Sequence, residues 1–238
     1  MKNVILAAAA VLCFSAESMA CTGVRMKAQD GGVVYGRTME WGAFDLNSRV
    51  AIVPRGYRFT GLTPDGQSGK TYVTKYGTVG LDMLGKDFIS DGMNEKGLAL
   101  GMFYHPGYAV YPEYSKENAD HSISSQEVAN YILGKFATVR EVRDGIHAVN
   151  VVGVIEQAIG MVVQAHWIVT DQSGESIVIE FTDGKLKIHD APLGVITNAP
   201  TYDWHMTNLS NYLNLSMFSL DQTVSASLKK FFIKKLCT

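Results

Sequence analysis

CTGVRMKAQDGGVVYGRTMEW, residues 21–41, is the stretch on which the reading of this chain turns. It contains two short β-type runs around the turn residues Asp30, Gly31 and Gly32, so it predicts a hairpin. It also opens on a cysteine, and what precedes that cysteine reads as an export signal. Lys2 gives a positive start, and Val4 to Phe14 form an apolar run shorter than the ~20 residues of a membrane span. Ser18 and Ala20 provide the small residues of a cleavage site, so a cut after Ala20 makes Cys21 the first residue of the mature chain. The expected location is therefore periplasmic or extracellular, in a bacterial setting.

Outward from that stretch the hairpins continue. "RVAIVPRG" reads as a strand stopped by Pro54 and Gly56, and "TPDGQSGKT" reads as a polar loop. "KDFISDGMNEKGLALGMFYHPG" reads as a hairpin turning at Asn94 to Gly97. The period then changes. Ser124 with Glu127, and Thr138 with Glu141, form capping boxes that open two helices, the first placing Val128, Tyr131, Ile132 and Phe136 on one face. Strands resume in "QAHWIVTD", "ESIVIEFTD", "KLKIHD" and "GVITN". Strands, a helix pair, then strands indicate one α+β layered domain with mainly antiparallel sheet over residues 21–238, after a signal of residues 1–20.

The 238 residues are 47% hydrophobic, enough for a sizeable core, and carry a formal net charge of −2. That charge gives no basis for nucleic-acid binding. No run after the signal approaches the length of a bilayer span. "TPDGQSGKT" fails as a phosphate loop because Pro64 stands where the first glycine is needed. The six histidines form no H-x-x-x-H pair, and His166 reads as a packed strand residue. Of the three cysteines, Cys13 leaves with the signal; export would allow Cys21 and Cys237 to pair, and no C-x-x-C spacing suggests a metal. No cofactor is expected.

A cysteine freed at its backbone nitrogen has useful chemistry. An α-amine has a pKa of ~7.7–8.0, near working pH, so it can accept a thiol proton and make one residue both nucleophile and base. Arg37, at the end of the second strand, falls beside Cys21 if the two strands pair, and arginine keeps its charge and offers a rigid fork of donors.

Four separated motifs then carry a resemblance: the C-T-G start, G-R-T-M-E-W (Gly36 to Trp41), D-G-M-N-E-K-G-L (Asp91 to Leu98) and T-N-A-P-T-Y-D-W-H (Thr197 to His205). In this order they resemble the choloylglycine hydrolase family, which contains conjugated bile acid hydrolases and penicillin V acylases, over about residues 21–216. The resemblance implies an N-terminal nucleophile hydrolase with an αββα sandwich that hydrolyses linear, non-peptide amide bonds of small N-acyl substrates. It assigns Cys21 as nucleophile, Arg37 as the residue beside its sulfur, and Glu40 to the position of an aspartate that holds the α-amine. Asn198 matches the side-chain donor of the oxyanion hole and Tyr104 the backbone donor, a position where bile acid hydrolases tend to carry asparagine and penicillin V acylases tyrosine. Trp41, Met102 and Phe103 are candidates for an acyl pocket, with ordinary core packing as the alternative for the last two. Family chains continue further, with a second catalytic arginine, and often assemble as homo-oligomers. Residues 217–238 look unlike the family, which reads as a C-terminus replaced by a frameshift or early stop. Two other functions compete with the amidase: a catalytically dead remnant, and a lipoprotein anchored through Cys21, against which Ser18 stands where a lipobox usually has leucine.

Overall fold

The computed structural model describes residues 21–41 and 45–212. The expected signal, Cys237 and the tail expected to diverge from the family lie outside the described residues. The opening hairpin forms as the turn chemistry dictates: β1 (Thr22–Lys27) and β2 (Val33–Thr38) pair antiparallel, with Gly31 at φ 91° in the turn. Next come β3 (Val50–Val53), the hairpin β4 (Arg58–Leu62) and β5 (Ser68–Val73), and β6 (Thr78–Asp82). The polar stretch read as a loop thus supplies most of its second half to β5. β7 (Ile89–Asn94) and β8 (Ala99–Tyr104) form the hairpin expected around Asn94 to Gly97. There Asn94 Oδ1 accepts from the N–H groups of Lys96 and Leu98, an Asx turn that satisfies the bend.

A short β9 (Ser122–Ser124) leads through a 3₁₀ turn into α1 (Val128–Lys135), followed by α2 (Val139–Gly145). The first capping box is present, and Glu127 Oε2 also accepts from Leu62 N at 2.9 Å, tying the helix start to β4. Thr138 caps α2 by accepting from Glu141 N. β10 (Asn150–Val152) pairs in parallel with β9, and β11 (Ile155–Glu156) pairs with β12 (Met161–Val162). Then β13 (Ala165–Thr170), β14 (Ser176–Thr182) and β15 (Lys185–Asp190) run as an antiparallel meander. β16 (Val195–Thr197) and α3 (Tyr202–Leu209) close the described chain.

Two sheets result. Seven strands lie in the order β15-β14-β13-β8-β7-β6-β3, and three in the order β16-β1-β2. The alternation of a strand decides which core each residue joins. On β8, Leu100 and Met102 face the layer of α1 and α2, while Phe103 faces the smaller sheet. On β13, Trp167 and Val169 face the helices and Ile168 faces the other way. Cys21, Phe103, Ile168, Val178, Ile196 and Tyr202 form the core between the sheets, against which Met206 of α3 packs. This is the αββα sandwich. At one end of the large sheet the smaller sheet leaves a face bare: Val50 and Ile52 of β3, cross-strand from Leu81 and Val79 of β6, and Met93 of β7 form an exposed apolar stripe. Among the described residues no helix is long and apolar enough to cross a membrane.

The sheets approach closely at Gly23. A Cβ there would lie 2.6 Å from Phe103 Cζ and 2.9 Å from Ile196 Cγ2, so only glycine fits. Gly23→Ala is expected to cost about 1–3 kcal/mol by overpacking, read as a lower urea midpoint at unchanged m-value.

Candidate active site

Cys21 immediately precedes β1, the central strand of the smaller sheet, and is buried. Its carbonyl accepts a 2.8 Å hydrogen bond from Thr197 Oγ1 of β16, and Thr22 pairs with Thr38 on its other flank. The start of β1 is therefore held from both sides. It faces a cavity of about 390 Å³ lined by Cys21, Arg37, Trp41, Met102, Phe103 and Tyr104 among the residues singled out in the sequence. The rest of the wall is mostly apolar, including Leu46, Met83, Phe88, Ile159 and Val162. Trp41 meets Tyr104 edge-on with ring centroids 5.4 Å apart. Met102 and Phe103 serve both readings made of them, since each belongs to a core cluster and also lines the cavity.

Arg37 comes from β2, opposite Gly23 of β1. Its Nη1 donates to Asp91 Oδ2 at 2.9 Å and to the Met102 carbonyl at 2.6 Å, and the guanidinium lies 4.2 Å over the Phe103 ring. Asp91 is the partner that the sequence reading missed. It sits on β7 within the D-G-M-N motif, and the carboxylate that opens this motif was the available signal. Burial pushes the Asp91 carboxyl up, and the charge and hydrogen bond of Arg37 pull it back. Tyr35, two residues before Arg37, completes the cluster: burial and then Asp91 push its hydroxyl up, while Arg37 acts in the opposite direction.

Glu40 is not brought to the others. It lies two residues past β2, is exposed, and is absent from the cavity wall. Among the described residues Arg37 makes no ion pair with Glu40, because it is spent on Asp91 inside the protein. Asn198 follows β16 directly and is next to the residue that bonds Cys21, although it does not line the cavity.

Behind Tyr104 and Asn198 lies a cluster that sequence reasoning treated as packing. His105 and His166 are fully buried and stack face to face, with centroids 4.1 Å apart and planes 3° apart. His166 Nδ1 is 2.9 Å from Glu180 Oε1, and its Nε2 is 2.9 Å from the Thr197 carbonyl. Glu180 Oε1 also accepts from Tyr202 N at 2.8 Å, and His189 Nε2 lies 3.3 Å from Oε2. Burial acts to raise the Glu180 carboxyl. Hydrogen bonds from His166 and His189, the charge of His166 and the Tyr202 N–H outweigh it and hold the group well below the usual carboxylate range. Burial, and then the neighbouring His166, lower His105 to about 4, with Glu180 pulling the other way. The ligand atoms of His105, His166 and Glu180 lie within 4.8 Å of one another. They do not suit a metal, because stacked parallel imidazoles aim their in-plane lone pairs side by side rather than at one ion.

The fold and this cavity define an N-terminal nucleophile hydrolase scaffold. The profile described as linear amide C–N hydrolases, choloylglycine hydrolase family, matches residues 21–231, and the chain belongs to that family. It is 34% identical over 200 residues to a bile salt hydrolase/transferase of Clostridium perfringens, covering 82% of this chain and 58% of that protein. A crystal structure of a conjugated bile acid hydrolase variant from Clostridium perfringens superposes with a TM-score of 0.70 at 30% identity, over 84% of this chain and 60% of that one. Penicillin V acylase from Agrobacterium tumefaciens gives 0.69 at 28% identity, over 82% and 58%. The chain thus spans about three fifths of the length of these relatives.

Two measurements check the electrostatics. Asp91→Asn is expected to cost about 3 kcal/mol in chemical unfolding by stranding a buried guanidinium, and the double variant Arg37→Met, Asp91→Leu to recover much of it. His105 is held neutral in the fold, so its contribution is complete above pH ~6.5 and is lost as pH falls towards about 4. Between pH 7 and 4.5 the native chain should therefore lose about 2–3 kcal/mol more stability than His105→Phe.

Proposed function

We propose that this chain is an exported amidase that cleaves small N-acyl amides with Cys21 as nucleophile, after removal of residues 1–20. One observation carries the reading: Cys21 is buried at the start of β1, on a cavity that combines a fixed guanidinium with apolar and aromatic walls. Release of its backbone nitrogen would supply the base. The thiolate adds to the amide carbonyl, the Asn198 amide and the Tyr104 N–H receive the developing oxyanion, and the resulting ammonium at Cys21 protonates the leaving amine. Water then cleaves the thioester, and the amine recovers its proton. Arg37 supplies the positive charge of the cavity, held in place by Asp91 and Met102.

The aromatic pair Trp41 and Tyr104 favours a flat, apolar acyl group, and so penicillin V over conjugated bile salts. The cavity wall is apolar along most of its length, which suits the acyl side of such a substrate rather than a charged one.

The test joins mass spectrometry to kinetics. The mature chain should begin with an unmodified Cys21 and should hydrolyse penicillin V faster than a glycine-conjugated bile salt. Cys21→Ala should lower turnover on the order of 10⁴-fold or more. Asn198→Ala should lower it by about 10²–10³. A diacylglyceryl group on Cys21 would replace the amidase reading by the lipid-anchor reading. A chain correctly cleaved yet inert towards both substrates would mark a dead remnant.

A further inference from the structure

We propose that the buried His166–Glu180 pair is a positioning device for the oxyanion donors, a doubly protonated imidazole on a carboxylate that clamps the Asn198–Thr201 segment at both ends. The inference rests on the amidase reading for its catalytic meaning, and on hydrogen-bond geometry for its physical content.

A carbonyl oxygen can only accept, so His166 Nε2, 2.9 Å from the Thr197 carbonyl, carries a proton. Glu180 Oε1 accepts the Tyr202 N–H, and the donors around the carboxyl outweigh its burial and keep it ionised, so the proton on the 2.9 Å contact to His166 belongs to Nδ1. Both ring nitrogens donate, and the ring is an imidazolium. Its charge is balanced inside the protein, where both side chains are fully buried.

The outputs of the pair are two backbone groups. His166 holds the carbonyl of the peptide that joins Thr197 to Asn198. Glu180 holds the first N–H of α3, just past Thr201. A third tie comes from α3 itself, where His205 Nε2 lies 3.1 Å from the Asn198 carbonyl. The same Thr197 reaches forward through Oγ1 to the Cys21 carbonyl. The nucleophile residue and the side-chain donor are thus registered through one residue, and that residue is held by His166. The other proposed donor is coupled as well: His105, stacked on His166, is the residue after Tyr104. Among the described residues, the titratable groups around the pair are His105 from β8, His189 from β15, and Tyr202, Asp203 and His205 from α3. Loss of the charge need not empty the site, so Glu180→Gln is a near-isosteric probe.

The experiment uses the full chain labelled with ¹⁵N-histidine. One histidine should show two ring N–H protons shifted downfield, with both nitrogens in the protonated range, persisting at pH 8. In Glu180→Gln that histidine should keep a single ring proton, and amide exchange over residues 197–202 should accelerate at least about tenfold. On penicillin V the variant should lose about 10²-fold in kcat with KM changed less than about threefold, because an unclamped donor is misplaced in the transition state rather than missing from the substrate pocket. Glu180→Asp, which retains the charge, should recover part of kcat and the second ring proton. If Glu180→Gln does not fold, the wild-type spectrum and Glu180→Asp carry the test. A single ring proton on every histidine at pH 8 overturns the proposal, as does unchanged exchange over 197–202 or an unchanged kcat in a folded variant. Absence of turnover in the wild-type chain would sink the amidase reading alone, and the spectra and exchange rates would still decide the clamp.

Discussion

A guanidinium placed between two sheets must be neutralised where it lies, and much of the site follows from how Arg37 is accommodated. Its carboxylate partner, Asp91, comes from the large sheet, while Arg37 itself comes from the small one. The ion pair therefore fixes the distance and register between the layers where Arg37 lines the cavity. The Met102 carbonyl and the Phe103 ring complete the coordination from β8. Burying such a pair gains little net stability, but breaking it is costly, so the arrangement has few alternatives. Small residues make room for it. A Cβ on Gly101 would lie 1.8 Å from the Tyr35 hydroxyl, and Gly23 admits Phe103.

Local rules made much of the fold legible. The hairpins at Gly31 and Gly97, the two helix caps and the late meander each depend on a few neighbouring residues, and the sequence displays them side by side. Cys21 stood out for a chemical reason, since an expected small-residue cleavage site next to a thiol is an unusual conjunction, and the structure places it on the cavity wall. β6 and α3 passed unnoticed: β6 has only two large apolar residues in alternation, Val79 and Leu81, and both face solvent. α3 is short, with a single buried residue, Tyr202.

The site was legible only in part, because its polar contacts join distant strands. Asp91 meets Arg37 across 54 positions. His166 meets Thr197 across 31, and Glu180 meets Tyr202 across 22. No spacing rule links such residues, and each looks like an isolated polar interruption of a strand. Glu40 illustrates the converse. The resemblance put it at the position of a carboxylate that holds the α-amine, but β2 ends at Thr38, and beyond a strand end the pleat no longer dictates which way a side chain faces.

The bare stripe formed by Val50, Ile52, Val79, Leu81 and Met93 governs how the molecule behaves in a test tube. Five apolar side chains in register across three strands offer a flat, greasy plate beside β3, the edge strand of the large sheet among the described residues. Sulfate and phosphate salts strengthen contacts of this kind, so precipitation should set in at modest concentrations of either. Buffers of low ionic strength and cold, dilute handling suit a surface whose stickiness fades as water cools.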